Sequence, residues 1–169
     1  MKPLYFGMLF SGALLAFALG SGVPQTDLTV QAASHAESQT KRVLGQDLVP
    51  AGTLYSPGVS VGHTVYVAGL QGTDPRTHKL PQAFDQEVRN ALNNVGEVLK
   101  DGGMGYDDVV SVQIFLVDIS QFQAVNEIYK EYFKAPLPAR CTVQVSKLSL
   151  GSRIEISAVA QRQIPDHGR

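Results

Sequence analysis

The sequence predicts an α+β domain in which a mixed β-sheet has two helices on one face. Two segments repeat apolar residues at helical spacing, and the other patterned segments alternate apolar and polar residues as half-buried strands do. The predicted order of elements is ββαβαββ. Because only two helices are available, they can cover just one face of such a sheet.

Two strands open the predicted domain. Segments 54–61 and 64–68 are separated by Gly62-His63, a pair suited to a hairpin turn. Residues 58–62 read GVSVG, which matches the G-x-S-x-G pattern of a hydrolase nucleophile elbow. That elbow requires a helix after the serine. A strand is predicted there instead, so we interpret the segment as a hairpin.

Two amphipathic helices follow a loop over 69–79. The first occupies the segment after Phe84 and is expected to stop at Gly102-Gly103. Ser120 and Gln123 fit a capping box at the start of the second helix. Its apolar face and its end are given by these residues: Phe122, Val125, Tyr129, Tyr132 and Phe133, then Pro136 and Pro138.

Three further strands are predicted over 107–117, 139–145 and 153–161. In the first of them, Val110, Val112, Ile114 and Leu116 should share one face. Alternation then places the following residues on the face away from the helices: Ser111, Gln113, Phe115, Arg140, Thr142, Gln144, Glu155, Ser157 and Val159. This set is too apolar for a free surface and too polar for a dry core. We therefore expect the face to be buried against copies of the same protein, with ligand sites between them.

The N-terminus has the pattern of an export signal. Lys2 precedes a charge-free apolar run over 4–19, which ends in small residues and is short for a membrane span. We predict a signal peptide over 1–20, with an uncleaved anchor as the alternative, and hence a periplasmic or secreted protein with no stable membrane association after cleavage. Residues 21–46 are predicted as a flexible polar spacer, 47–164 as the domain and 165–169 as a tail.

Composition argues against several classes of function. The formal net charge is −1 and no basic cluster stands out beyond Lys41-Arg42, which does not favour nucleic-acid binding. The histidines are scattered and no phosphate loop or dinucleotide fingerprint is present, so we expect neither a metal nor a cofactor. Cys141 is the only cysteine. Alternation predicts that it faces the helices as a buried structural thiol.

Arg140 and Glu155 are the candidate catalytic residues. An arginine on the helix-free face can hold a carboxylate through a bidentate pair, and a nearby carboxyl group can position water and move protons. An ordinary ion pair between neighbouring strands would give the same spacing.

Several segments resemble the RidA/YjgF family of reactive intermediate deaminases. Residues 138–143 (PARCTV) and 153–160 (RIEISAVA) resemble its C-terminal signature. Shorter segments agree in order and spacing: YSPG at 55–58, VYVAG at 65–69, DPRT at 74–77, DDVV at 107–110 and AVNEIY at 124–129. The resemblance spans about 48–163.

This resemblance implies a chorismate-mutase-like fold and a homotrimer with sites between subunits. It also implies hydrolysis of enamines and imines such as 2-aminoacrylate to 2-keto acids and ammonia, without a cofactor. Arg140 would bind the substrate carboxylate and Glu155 would orient water. The remaining substrate-binding residues would be Tyr55, Gly69, Asn126 and Thr142. Alternatives are a non-catalytic protein that binds small carboxylates such as keto acids, and a ribonuclease, which the charge does not favour.

Overall fold

The computed structural model describes residues 40–162, which form one six-stranded sheet and two α-helices. The strands are β1 Arg42–Leu44, β2 Gly58–Val61, β3 Thr64–Gln71, β4 Val109–Leu116, β5 Ala139–Gln144 and β6 Ile154–Gln161. The helices are α1 Phe84–Asp101 and α2 Phe122–Tyr132. The strand order is β1-β2-β3-β6-β4-β5, with β4 and β5 parallel and the other neighbours antiparallel. The predicted α+β class is confirmed, while the predicted signal peptide and tail lie outside the described residues.

The first strand lies in the segment predicted as spacer. Leu44 is completely buried, and Arg42 donates a hydrogen bond to the carbonyl oxygen of Asp101 at the end of α1 (2.7 Å). The Gly45 amide donates to the Asp101 carboxylate (2.8 Å). The predicted spacer therefore runs too far toward the C-terminus. A strand of only three residues among polar neighbours is too short for alternation to be recognised.

The helices form one layer over the sheet, and the core lies between them. The apolar stripe of α1 is completely buried at Val88, Leu92, Val95 and Leu99. The helix ends just before Gly102, whose amide donates to the Val98 carbonyl, as the glycine pair predicts. Within residues 40–162 there is no helix both long and apolar enough to cross a membrane.

The start of α2 differs from the prediction. A 3-10 turn, Ile119–Gln121, precedes the helix, and the Asp118 side chain accepts a hydrogen bond from the Ser120 amide (2.9 Å). Gln121, at the helix N-cap, forms no side-chain capping bond. The predicted capping box is wrong because the extra turn moves the orphan amide groups one turn back along the chain.

The hairpin between β2 and β3 is confirmed, with Gly62 at a φ of 56° in its turn. Alternation in β4 is correct from Val112 onward but wrong at Val110, which is exposed while Val109 is buried. The pairing of β4 with β6 shifts between Val109 and Ser111. This irregularity resets which residues face the helices.

The predicted facing of β5 is wrong. Arg140 pairs with Val112 and Thr142 pairs with Ile114, both of which are buried beneath the helices. Residues paired across a ladder share a face, so Arg140, Thr142 and Gln144 lie on the helix side. Cys141 is instead exposed on the open face, so the buried thiol is also wrong. Because β5 is an edge strand only partly covered by helices, its inward positions tolerate polar residues. The polarity of a residue in this strand therefore does not show which face of the sheet it occupies.

Candidate functional site

Glu155 lies on the open face of β6, beside a bulge in β3. Val67 pairs with Ala158 and Leu70 pairs with Ile156, so Ala68 and Gly69 together oppose a single residue of β6. A Cβ at Gly69 would overlap the Oε1 atom of Glu155. Only glycine lets the carboxylate lie against the backbone here, and bulges of this kind are common beside active sites.

The carboxylate of Glu155 opens into a cavity of about 380 Å³. The side-chain amide of Gln71 lies 3.4 Å from Glu155 Oε2 and donates to the Ser149 hydroxyl at 2.5 Å. The cavity is lined by Leu48, Val49, Pro50, Tyr55, Ala68, Gly69, Leu70, Gln71, Thr73, His78, Asn94, Ser149, Leu150 and Glu155. The predicted residues Tyr55, Gly69 and Glu155 are therefore brought together.

Polar side chains of α1 hold one wall of this cavity. Asn94 is buried and donates to the carbonyl oxygens of Gln71 (2.9 Å) and Thr73 (3.0 Å), while Asn90 donates to the Gly72 carbonyl (3.2 Å). These bonds fix the end of β3 after its bulge. The side chains were missed in the sequence because a polar residue in an amphipathic helix is expected to face water.

Glu87 holds the segment that leads into β6. Its carboxylate is completely buried and accepts hydrogen bonds from the Arg153 side chain (2.6 Å), the Arg153 amide (2.7 Å) and the Ser152 hydroxyl (2.8 Å). A Cβ at Gly72 would overlap the Glu87 backbone carbonyl. Glu87 therefore fixes the chain two residues before Glu155, and a buried carboxylate needs this many partners to offset its desolvation.

Arg140 is held by aromatic rings. Its guanidinium carbon lies 4.8 Å from the centre of the Tyr129 ring and 5.4 Å from that of Phe122, both on α2. Such contacts stabilise a cation without using its N–H donors. The guanidinium forms no ion pair within residues 40–162. Burial raises the pKa of Tyr129 to about 12, against the opposing effect of Arg140, so the ring beneath the cation stays neutral.

Arg140 and Glu155 do not meet within one chain. Arg140 belongs to a second cavity of about 490 Å³, together with Asn126 and Tyr129, on the helix side of the sheet. Glu155 pairs with Phe115 and points to the open face. Thr142 lines neither cavity, and its hydroxyl is buried without a hydrogen-bond partner in the described region. The predicted site is thus divided into two parts.

The comparisons with known proteins agree with this fold. Residues 44–162 match the family model described as "Endoribonuclease L-PSP". A 2-iminobutanoate/2-iminopropanoate deaminase of Rattus norvegicus is 44% identical over 122 residues, covering 71% of this chain and 89% of the relative. The chloroplastic Reactive Intermediate Deaminase A of Arabidopsis thaliana is 36% identical over 153 residues, covering 89% of this chain and 80% of the relative.

Solved structures are also similar. The crystal structure of E. coli TdcF with bound serine is 29% identical, has a TM-score of 0.68, and covers 72% of this chain and 99% of its own. The match to the family model spans most of the chain and includes all six strands except the first two residues of β1. The fold, the sequence identity and the family model together place this chain in the RidA/YjgF family, to which it belongs.

Proposed function

We propose that the chain hydrolyses reactive enamines and imines, such as 2-aminoacrylate and related imino acids, to 2-keto acids and ammonia. The observation that carries this proposal is the Arg140 guanidinium, which is held by two ring faces and has no carboxylate partner among residues 40–162. The names of the rat and Arabidopsis relatives support the same chemistry.

Arg140 would bind the carboxylate of the substrate. A guanidinium offers two parallel N–H donors that match the two oxygens of a carboxylate and fix its orientation. Asn126 lies in the same cavity and would contact the ligand beside it. The serine bound to E. coli TdcF carries the same carboxylate group, which supports a ligand of this class.

Glu155 would orient the attacking water. An imine carbon is already electrophilic, so positioning and proton transfer are sufficient. Water adds to the carbon of the protonated imine while its proton passes to Glu155, which gives a neutral carbinolamine. The carboxyl group then returns this proton to nitrogen. As the C–N bond breaks and ammonia leaves, the Glu155 carboxylate takes the hydroxyl proton, which leaves a keto acid, and it passes that proton on to ammonia. The Gly69 backbone and Tyr55 would contact the ligand in this cavity.

The two cavities would be joined between copies of the chain in a homotrimer. Arg140 and Glu155 lie on opposite faces of one sheet, so one substrate can meet both only if they come from different subunits. The open face carries exposed apolar side chains, including Tyr66 and Val143, and no helix of the described region covers it. Burial of that face against another copy would bring the cavities together.

The test has two parts. With imines generated in solution, we expect Arg140→Ala to lower kcat/KM by about 100-fold or more, because two charge-assisted hydrogen bonds are lost. Glu155→Gln should lower kcat. When the two inactive variants are refolded together, about one quarter of the sites regain both residues if the site lies between subunits. Keto acid binding without any turnover would instead support the carboxylate-binding alternative.

A ribonuclease activity, which the description of the family model suggests, is not favoured. Binding of RNA requires concentrated lysine and arginine, and the chain has a formal net charge of −1. Periplasmic or secreted localisation, with cleavage of the N-terminal signal, is proposed from the sequence alone. Mass spectrometry of the mature N-terminus tests it.

A further inference from the structure

Three of the most exposed large apolar side chains of the described region lie at the two cavities. Five exceed half of their full exposure: Leu54 (102%), Leu150 (78%), Leu137 (64%), Tyr55 (54%) and Tyr66 (52%). Leu150 and Tyr55 line the Glu155 cavity, and Leu137 lines the Arg140 cavity. Apolar side chains that surround a cavity in this way indicate an apolar ligand group.

The lining of the Glu155 cavity combines polar and apolar side chains. Gln71, Ser149 and Glu155 form a polar cluster through the contacts described above. Leu48, Val49 and Leu150 also line the cavity, and their side chains are entirely apolar. The volume of about 380 Å³ falls in the range of about 300–1,000 Å³ that suits drug-sized ligands. It is much larger than a three-carbon imino acid needs.

Leu150 is held outward by its backbone. Its φ of 57° lies in the left-handed region, which a leucine rarely adopts. The turn around it is closed by a hydrogen bond from the Ser152 amide to the Ser149 carbonyl (3.1 Å), and Ser152 is itself tied to Glu87. Such a conformation persists only where the surroundings impose it, and this is common at functional sites. The side chain is therefore presented at the cavity instead of being packed into the core.

We propose that this chain acts on 2-imino acids with large apolar side chains, such as those formed from leucine or phenylalanine, and that Leu150 determines this specificity. The proposal rests on the proposed function. In it, Arg140 and Glu155 hold the carboxylate and the imine carbon, while the side chain of the substrate extends along Tyr55 and Leu150. The rat relative is named for imines with methyl and ethyl side chains.

The experiment compares imines generated in situ by an amino-acid oxidase from alanine, leucine and phenylalanine, with semicarbazide as the competing trap. For the wild type we expect kcat/KM to be about tenfold higher for the two larger imines, since each buried methylene strengthens binding severalfold. Leu150→Ala should lose about tenfold on the leucine-derived imine and less than about threefold on the alanine-derived one. Leu54→Ala is the matched control, because this leucine is exposed but lines neither cavity.

The possible outcomes distinguish failure of the specificity proposal from failure of the proposed function. If the wild type has an equal or higher kcat/KM for the alanine-derived imine than for the two larger imines, the specificity proposal is overturned and the proposed function remains intact. Equal losses on all three imines in Leu150→Ala, or a change in its oligomeric mass by light scattering, show that Leu150 packs between subunits and also overturn it. If no imine is hydrolysed by the wild type, both proposals fall.

Discussion

Replacing Arg153 by methionine should destabilise the protein more than breaking any exposed ion pair would. The substitution leaves the Glu87 carboxylate, which is completely buried, without its charged partner. Breaking a buried pair in this way costs about 3–5 kcal/mol. Because the Arg153 side chain is about one-third exposed, water screens part of the interaction, and we expect the lower end of that range. This corresponds to a fall in Tm of about 10 °C for a domain of this size.

The matched control is Arg89→Met. Arg89 pairs with Glu131 through two hydrogen bonds, but both side chains are well exposed, so Tm should change by no more than about 2 °C. Adding Glu87→Gln to Arg153→Met should recover part of the lost stability, because a neutral amide is less costly to bury than an unpaired carboxylate. Thermal unfolding followed by circular dichroism, at one fixed protein concentration, compares the three variants with the wild type. If Arg153→Met costs no more than Arg89→Met, the assigned role of Glu87 is wrong.

Three further predictions concern the two cavities. Gly69→Ala should lower kcat by about tenfold or more with little change in Tm, because its methyl group displaces the Glu155 carboxylate. The control is Gly105→Ala, since a Cβ at Gly105 has no atom within 4 Å. Equal kcat in the two variants would contradict this geometry. Tyr129→Leu should raise KM for a carboxylate substrate about fivefold by removing the ring beneath Arg140, whereas Tyr129→Phe should not, as steady-state kinetics can show. The raised pKa of Tyr129, about 12, favours its neutral form in the folded state, so its stabilising contribution is complete below pH 10 and is lost as the pH rises toward 12. The free energy of unfolding, measured with urea over pH 9–12, should therefore decrease less steeply with pH in Tyr129→Phe than in the wild type. Identical pH dependence in the two proteins would refute the raised pKa of Tyr129.

The long elements could be predicted because their periodicity extends over many residues. The apolar stripe of α1 repeats through five turns, and the glycine that ends it has a direct backbone reason. The hairpin was equally clear, since Gly62 supplies the left-handed conformation that its turn needs. The three-residue strand β1 carries no such signal, because its place depends on pairing with β2.

The candidate site could be predicted only in part. Alternation gives the relative orientation of neighbours in a strand, but which set faces inward is decided by the layer packed above it. In β6 the apolar residues settle that choice, so Glu155 was placed correctly. In the edge strand β5 they do not, so Arg140 was placed on the wrong face. The Glu87 network joins residues more than sixty positions apart, and nothing local in the sequence indicates it.

The bulge in β3 sets which way the side chains beyond it face. Downstream of the bulge, Leu70 points into the core and Gln71 points toward Glu155. Straightening the bulge without losing a residue would shift the pairing by one position and bring Leu70 opposite Glu155 on the open face. Loss of one residue at Ala68-Gly69 would instead give a regular strand in which Leu70 still lies opposite Ile156, so no side chain would change face. Descendants of this sequence can therefore lose the extra residue without reversing the strand, but the bulged backbone against which Glu155 lies would be lost with it.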